Sequence, residues 1–296
     1  MTGTGIIDCV VLNYNDADTT IDMIQHIQNY DIIDHIVVVD NCSTDDSLDR
    51  LKMLSDDKII VLSSNKNGGY GAGNNIGVFY SNNRFRSDYT IIANPDVIFS
   101  ENCVAKLKKL MDRDAKCAIA APIQLTANGD IVQDYAWPFP TTWQAILSAG
   151  HYLRRIFWKR YNFKWLQHKK DIGLKSVIVD CVPGAMLMVR TSEFCKVSGY
   201  DEDNFLYWEE AMLGKKMVMD GYRSRLLITD AYIHEHSVSI NKSIPKAINK
   251  IKIYIRGRYY FLKNYTDAGS VTLLIARLFF RICIFEESMI TRIKKV

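Results

Sequence analysis

The sequence predicts an α/β fold with a Rossmann-like, mainly parallel central sheet that is flanked by helices and followed by two C-terminal amphipathic helices. Two observations support this prediction. Over the first third of the chain, short apolar runs rich in Val and Ile alternate with amphipathic segments, as in βαβ units. The apolar runs are continuous rather than alternating, which is typical of strands buried on both faces.

The elements can be assigned in order along the chain. The apolar runs predict strands at 6–14, 35–40, 58–64, 89–94 and 117–123. The segments between them predict helices at 16–30, 41–54, from 76 onwards and at 101–114, with a glycine-rich loop at 65–75. Later segments predict strand structure at 177–190 and basic amphipathic helices at 243–265 and 270–296.

The charge of the chain is unevenly distributed. Its net charge is +4, yet residues 240–296 hold 12 Lys and Arg against 3 Asp and Glu. Such a basic region predicts an anionic partner, either membrane phospholipid or nucleic acid. The most apolar segment, 271–285, is interrupted by Arg277 and Arg281, so no transmembrane helix is expected. The N-terminal residues lack a secretory signal pattern, and seven scattered cysteines fit a reducing cytoplasm.

Two predicted strands end in an aspartate, Asp40 and Asp96. Ligands of parallel sheets bind beyond the carboxyl ends of the strands, so both carboxylates are candidate site residues. Ser43 or Thr44 is expected to cap the next helix, which explains the polar residues after Asp40 but not Asp40 itself. Asp96 follows an Asn-Pro pair that predicts a type I turn. A turn of this kind also aims one carboxylate rigidly, as a hard divalent cation requires.

The stretch NKNGGYGAGNN at 65–75 is the most glycine-rich part of the chain. It contains Gly71 and Gly73 but has Ile76 where a dinucleotide-binding G-x-G-x-x-G motif needs glycine, and it follows the third strand rather than the first. A nucleotide-binding oxidoreductase is therefore the less favoured alternative. The glycines predict a close approach of the backbone, which is compatible with a nucleotide lying over the loop.

Two further groups of residues are candidates for chemistry. Glu209 and Glu210 follow the aromatic sequence NFLYW. Adjacent acids often mark only a solvated helix start, but aromatic neighbours desolvate a carboxyl and raise its pKa toward that of a general base. His234 and His236 lie at strand-like spacing on one face, which is compatible with a metal site or with a structural pair.

Taken in order, these segments resemble family 2 glycosyltransferases, the inverting enzymes of GT-A fold. The likeness is greatest to the bacterial rhamnosyltransferase-like branch of O-antigen and capsule synthesis, and it runs from about Ile6 to Ser239. The segments that carry it are VVLNYN, VVVDNCSTDDS, NGGYGAGNNIG, ANPDV and PGAMLMVRTSEFCKVSGYDEDNFLYWEE. None of them is specific alone, and the resemblance rests on their shared order and spacing.

The resemblance implies a role for each candidate residue. Glu210 corresponds to the general base, Trp208 and Glu209 would contact the acceptor, and Asp96 with His234 would bind a divalent metal, Mn²⁺ or Mg²⁺. Contacts with the nucleotide sugar would come from Asn13, Tyr14, Asn15, Asp40, Gly71, Asn75, Asn94 and Asp96. Two positions depart from the family pattern, since Asn94 replaces the first aspartate of the D-x-D motif and Met212 stands where many members have an aspartate.

The implied function is transfer of a sugar from dTDP-rhamnose or a UDP-sugar to a saccharide acceptor that is lipid-linked. Residues 1–240 would form the catalytic domain. Residues 241–296 would form a basic helical tail that packs on the sheet domain, contacts a membrane or makes a homodimer. The expected location is the cytoplasm, at the inner face of the cell membrane, without a nucleic acid partner. A non-catalytic protein that binds sugar or nucleic acid is a second alternative.

Overall fold

The computed structural model describes residues 5–150, 163–235 and 247–293. Within these ranges nine strands form a single sheet in the order β3-β2-β1-β4-β8-β6-β9-β5, and β7 also pairs with β9. The strands are β1 Ile7–Asn13, β2 His35–Asp40, β3 Ile59–Ser63, β4 Tyr89–Ala93, β5 Val97–Ile98, β6 Cys117–Thr126, β7 Ser176–Val179, β8 Met186–Arg190 and β9 Arg223–His234. All five predicted strands are present, with ends that differ by at most three residues.

Helices cover both sides of this sheet. In the same described ranges they are α1 Ala17–Ile27, α2 Ser47–Lys52, α3 Gly69–Phe85, α4 Glu101–Asp112, α5 Thr142–Leu147, α6 Phe163–Asp171, α7 Thr191–Lys196, α8 Glu209–Met219, α9 Ala247–Tyr265 and α10 Ser270–Ile293. Alternate residues of β1 pack on opposite sides of the sheet, with Cys9 and Val11 in one core cluster and Val10 in the other. Burial on both faces explains why the apolar runs of the sequence are continuous.

The prediction of a mainly parallel sheet is confirmed. Strands β1 to β4, β6 and β9 run in one direction, and β5, β7 and β8 run in the other. The short strand β5 was not predicted, because two residues leave no periodic pattern. It follows the Asn-Pro-Asp turn directly and pairs antiparallel with the end of β9.

The glycine-rich stretch is a loop only up to Gly68, and the prediction of a loop through 75 is wrong. Helix α3 begins at Gly69 and packs directly on β1, where a Cβ on Gly73 or Gly77 would overlap Leu12 or Val10. The glycines therefore allow a helix to approach the sheet closely. Their low helix propensity had indicated a loop, and tertiary packing overrides that preference.

The predicted cap of the second helix is also wrong. Helix α2 begins at Ser47, after Asp46. Ser43 and Thr44 instead form hydrogen bonds with the loop that follows β1. Their side chains thus serve the contact between two strand ends rather than a helix terminus.

The two predicted C-terminal helices are present as α9 and α10, and both pack on the rest of the protein. Their inner faces form a core cluster with residues of α5 and α8. The predicted domain boundary at 240 and His236 both lie outside the described residues. Within the described ranges, no helix combines the length and hydrophobicity needed to cross a membrane.

Candidate active site

The carboxyl ends of β1 and β2 carry a hydrogen-bonded group that we call the strand-end cluster (Asn13, Asn15, Asp40, Ser43 and Thr44). The parallel register places Asn13 opposite Asp40. The Asn13 amide donates to Asp40 Oδ1 at 2.8 Å, and the Ser43 hydroxyl donates to the same oxygen at 2.6 Å. The Ser43 backbone N–H donates to Asp40 Oδ2 at 2.9 Å. The buried Asp40 carboxylate therefore orders the loop after β2.

Asn15 completes this cluster from the loop after β1. Its backbone is left-handed, with φ of 52°, a conformation that asparagine tolerates better than most residues. Its side-chain oxygen accepts the Thr44 N–H at 2.8 Å, and its own N–H donates to Ser43 Oγ at 2.9 Å. The half-buried Tyr14 lies between Asn13 and Asn15. The structure thus brings these predicted residues together with Asp40, and their contact with a nucleotide stays a prediction.

Gly71 and Asn75 lie inside α3 and contact a different part of the chain. The Asn75 side chain accepts the Tyr200 N–H at 2.8 Å and donates to the Tyr200 carbonyl at 3.0 Å. A Cβ on Gly71 would lie 2.8 Å from Tyr200 Cβ. Both residues therefore hold α3 against the segment that leads to Glu209, and their predicted contact with the nucleotide sugar is untested.

Asp96 and His234 meet at the end of the sheet because of β5. The predicted turn is present at 95–96, and the pairing of β5 with β9 places Val97 opposite His234. His234 Nε2 lies 3.2 Å from Asp96 Oδ1, and their side chains are only 14% and 5% exposed. Two residues far apart in sequence thus form one polar pair at the sheet edge.

Gln124 of β6 fixes the other side of the His234 ring. Its side-chain nitrogen lies 3.0 Å from His234 Nδ1, while its oxygen accepts the Tyr232 hydroxyl at 3.0 Å. The Gln124 amide therefore bridges the Tyr232 hydroxyl and the His234 ring, and it holds the ring with Nε2 toward Asp96. Sequence reasoning missed Gln124, whose only signal is a polar residue late in an apolar strand.

The Asp96–His234 pair fits a divalent cation that it would share with phosphate oxygens. Among the described residues, no group of three or more His, Cys, Asp or Glu side chains is arranged to hold a metal by itself. Cations in nucleotide sites are usually held by one or two carboxylates together with substrate phosphates, which is the donor set that this pair would complete. Asn94, which lines the adjacent cavity, adds an amide rather than a second carboxylate.

Glu209 and Glu210 begin α8 immediately after two strained residues, which we call the left-handed turn (Tyr207 and Trp208). Their φ angles are 71° and 75°. This region of backbone conformation is unusual for bulky residues and costs about 1–3 kcal/mol at each position. Such residues persist only when their surroundings enforce the conformation, and they cluster at functional sites.

The two acids have different surroundings. Glu209 is 4% exposed, and its Oε1 has no hydrogen-bond partner among the residues that the structure describes. Burial, with a further contribution from Glu210, raises its pKa well above the ordinary value. Glu210 Oε1 accepts the Gly184 N–H at 3.3 Å, and the Tyr70 hydroxyl donates to the Gly184 carbonyl at 2.6 Å. The raised pKa of Glu209 favours its neutral form, which leaves less negative charge beside Glu210.

A cavity of about 470 Å³ joins these groups. Its polar lining includes Asn94, Gln124, Glu209, Glu210 and His234, and its aromatic lining includes Tyr70, Trp137, Tyr207, Trp208 and Tyr254. A concave site with aromatic walls and a few convergent polar groups is typical of a ligand pocket. The predicted residues Asn94, Trp208, Glu209, Glu210 and His234 therefore share one cavity, and the structure adds Tyr70, Gln124 and Tyr254.

Helix α9 holds the left-handed turn in place. A Cβ on Gly257 would lie 2.8 Å from the Tyr207 carbonyl, so the helix backbone touches the turn. The buried Arg258 guanidinium lies 4.9 Å from the Trp208 ring and 4.9 Å from the Tyr254 ring. It also donates to the Ala145 carbonyl at 2.8 Å, to Ser148 Oγ at 2.9 Å and to the Tyr254 hydroxyl at 2.8 Å. Helix α9 is thus part of the site, which the sequence pattern of the helix did not reveal.

Comparison with known proteins identifies the family. Residues 8–191 match the profile of the family described as Glycosyl transferase family 2. The chain is 22% identical over 178 residues to the N-acetylglucosaminyl-diphospho-decaprenol L-rhamnosyltransferase of Mycobacterium tuberculosis, covering 60% of this chain and 55% of the relative. It is 24% identical over 201 residues to the hexosyltransferase Agl10 of low-salt glycan biosynthesis in Haloferax volcanii, covering 68% and 58%. The chain thus spans little more than half the length of these relatives.

The fold is shared with solved glycosyltransferase structures. GalNAc-T7, determined with UDP, GalNAc and Mn²⁺, superimposes with a TM-score of 0.64 at 14% identity, covering 95% of this chain and 55% of that one. This similarity shows a GT-A fold, as predicted. Because the family profile matches more than half of the sequence, the chain belongs to glycosyl transferase family 2.

Proposed function

We propose that the protein transfers a sugar, with inversion, from a nucleoside-diphosphate sugar to a saccharide acceptor. The observation that carries this proposal is that Glu210 and His234 line one cavity, with Asp96 3.2 Å from His234. The Asp96–His234 pair beside the cavity would bind a cation, and the separate Glu210 carboxylate lies in the cavity, so together they would supply the two groups that the reaction needs. One neutralises the leaving group and the other accepts a proton.

On the donor side, Asp96 and His234 are proposed to hold Mn²⁺ or Mg²⁺ together with the diphosphate oxygens. When bound, the cation neutralises the charge that develops on the departing nucleoside diphosphate. The nucleoside itself is proposed to lie at the strand-end cluster, because ligands of such sheets bind beyond the carboxyl ends of the strands. Asn94, which lines the cavity, is proposed to contact the nucleotide sugar.

On the acceptor side, Glu210 is proposed to be the general base. It takes the proton of the acceptor hydroxyl while that oxygen forms a bond to C1 of the donor sugar. The bond between C1 and the diphosphate oxygen breaks in the same displacement, and the electron pair leaves with the nucleoside diphosphate. Attack from the face opposite the diphosphate inverts the anomeric centre. Trp208 and Tyr254 offer an aromatic wall for the acceptor.

The proposed donor is dTDP-rhamnose or a UDP-sugar, and the proposed acceptor is a lipid-linked saccharide of bacterial surface polysaccharide synthesis. Two comparisons support these choices. The mycobacterial relative is named as a rhamnosyltransferase of a saccharide-diphospho-decaprenol, and GalNAc-T7 was determined with UDP and Mn²⁺. Such an acceptor places the reaction at the inner face of the cell membrane, which also fits the basic C-terminal helices.

A panel of nucleotide sugars tests this proposal. The full chain is incubated with each donor, an N-acetylglucosaminyl-diphospho-lipid acceptor and Mn²⁺, and release of nucleoside diphosphate is followed. We expect turnover of one donor class that EDTA abolishes and Mn²⁺ restores. A folded protein that turns over no donor, or that binds NAD instead of a nucleoside diphosphate, contradicts the proposal.

A further inference from the structure

Helix α10 is apolar on two opposite faces. The inner face, with Ala276, Phe280 and Cys283, is buried in the core cluster shared with α9 and α5. The opposite face exposes large apolar side chains, each between 42% and 72% accessible. We call this set the outer stripe, and it consists of Val271, Leu274, Ile275, Leu278, Ile282, Phe285 and Met289.

The outer stripe is continuous along the helix. Its members recur at intervals of three and four residues, so they lie along one side of α10 over about 27 Å. Soluble monomers rarely expose a contiguous apolar surface of this extent unless it binds something. The fold does not need the stripe, because the inner face already packs α10 on the protein.

Among the described side chains of α9 and α10, the charged ones that are exposed are all positive. Arg277 and Arg281 are exposed on α10 next to the stripe. The solvent-facing side of α9 carries Lys252, Arg256 and Lys263, and α9 contains no acidic residue. The two acids of α10, Glu286 and Glu287, are half-buried. Apolar side chains flanked by Arg and Lys are typical of helices that lie in the interface of an anionic membrane.

We infer that the outer stripe lies in the interfacial layer of an anionic phospholipid bilayer, with α10 parallel to the membrane plane. Arg277 and Arg281 then reach lipid phosphates at the level of the headgroups. This inference deepens the proposed function by naming the surface that meets the membrane. The inference rests on the proposed function only in assuming that the acceptor is anchored in the same membrane by its lipid.

The arrangement also orients the cavity. Helix α9 packs on α10, and α9 contributes Tyr254 to the cavity wall and Arg258 to the support of Trp208. A bilayer that holds α10 therefore holds the wall of the cavity at a fixed position relative to the lipid surface. An acceptor anchored in the same bilayer would present its saccharide to a site that is already oriented.

A second copy of the chain is the competing occupant. Six members of the outer stripe, without Leu274, follow the alternating four-and-three spacing of a coiled-coil seam. That seam would span fewer than three heptads, and it would leave Leu274 outside the contact. The bilayer accounts for all seven members of the stripe and for the neighbouring Arg277 and Arg281.

Flotation with lipid vesicles tests the inference. Wild-type protein is mixed with vesicles of phosphatidylglycerol and phosphatidylcholine, or of phosphatidylcholine alone, and separated on a density gradient. We expect flotation with the anionic vesicles, weakened by salt, and at least about a tenfold lower partition coefficient for a Leu278→Ser, Ile282→Ser double variant. Met53→Ser, a change of an even more exposed apolar side chain outside the helix pair, should float like the wild type.

The controls separate this inference from the proposed function. Thermal melting should show that the double variant is folded, and its transfer to a water-soluble acceptor should equal that of the wild type. Equal flotation of wild type and double variant, or no flotation of the wild type, overturns the inference. A wild-type dimer that the double variant abolishes, without flotation, assigns the stripe to a second copy. Flotation without transfer from any donor overturns the proposed function and leaves the membrane inference in place.

Discussion

Two regions of the protein, the strand-end cluster and the left-handed turn, differ in how their polar groups are satisfied. In the strand-end cluster, Asn13, Asp40 and Ser43 are joined by hydrogen bonds of 2.6–3.2 Å. In the left-handed turn, Tyr207 and Trp208 are strained, and the next residue, Glu209, is a buried acid with a raised pKa. The first region is a hydrogen-bonded network, whereas the second combines a strained backbone with a desolvated carboxyl group.

This difference matches the proposed division of labour. A satisfied network is rigid, which suits the binding of a nucleotide that is the same in every reaction cycle. Strain and desolvation are typical of positions where bonds change, and they require support from neighbouring structure. Here the support comes from α9, whose Gly257 and Arg258 contact the turn directly.

The largest effect is expected from Glu210→Gln. Loss of the proposed base should lower transfer about 100- to 10,000-fold, because that is the usual contribution of a positioned proton acceptor. Donor affinity, measured by calorimetry, should stay within about twofold of the wild type, since the strand-end cluster and Asp96 are untouched. Glu193→Gln on α7 is the matched control and should leave both quantities unchanged. Wild-type turnover in the Glu210 variant would show that another group accepts the proton.

The next largest effect is expected from Asp96→Asn on nucleotide binding. Removal of the proposed metal carboxylate should weaken Mn²⁺-dependent binding of a nucleoside diphosphate by at least about 10- to 100-fold. Wild type and variant should bind it equally in EDTA. Asp130→Asn, a change of an exposed carboxylate, should bind like the wild type in both conditions. Identical Mn²⁺-dependent affinities of the wild type and the Asp96 variant would show that Asp96 does not hold the cation.

Arg258→Ala should distinguish the regions by stability as well as activity. The variant loses three hydrogen bonds of a buried cation and the contacts of that cation with two aromatic rings. We therefore expect the free energy of unfolding to fall by at least about 2 kcal/mol. Denaturant unfolding measures this change. The fraction of the variant that is folded should bind the donor like the wild type but transfer the sugar more slowly. Arg256→Ala, the exposed neighbour on the same helix, should change stability by less than about 0.5 kcal/mol. Weakened donor binding in folded Arg258→Ala would mean that α9 serves both regions.

The smallest effect is expected from Glu209→Gln, in the pH dependence of stability. Because burial raises the pKa of Glu209 in the folded protein, its stabilising contribution is complete below the unfolded value near 4.5 and is lost as pH rises through the folded pKa. The free energy of unfolding, measured by denaturant melts, should therefore fall less steeply for the variant than for the wild type as pH rises from 5 to 8. Parallel curves for the two proteins would mean that Glu209 titrates normally.

Much of the proposed donor region, which consists of the strand-end cluster, Asp96 and His234, could be predicted from the sequence, because its parts are local. Strand ends at Asn13 and Asp40 follow from apolar runs, and parallel strands bring their carboxyl ends to one edge. The pairing of Asp96 with His234 needed β5, a two-residue strand without a periodic signal. Gln124 was missed because its contacts depend on the register between β6 and β9, which the sequence does not show.

The proposed acceptor region, which consists of the left-handed turn, Glu209 and Glu210, was harder to predict, because its support comes from α9 near the C-terminal end of the chain. The sequence pattern of α9 shows an amphipathic helix but does not say what its inner face contacts. Gly257 gave no signal for a contact with Tyr207, and Arg258 was counted with the basic surface although it is 1% exposed. The glycines of α3 predicted a loop where a helix forms, because close packing on β1 outweighs their low helix propensity.

The anomeric configuration of the product tests the central claim most directly, because it reports how the donor and acceptor regions face each other across the reacting carbon. With a donor of known configuration at C1, the coupling constant of the anomeric proton in the first product formed can be read by NMR. A donor held at the Asp96 side and an acceptor activated by Glu210 predict a single displacement and an inverted product. A product that retains the donor's configuration would contradict this arrangement.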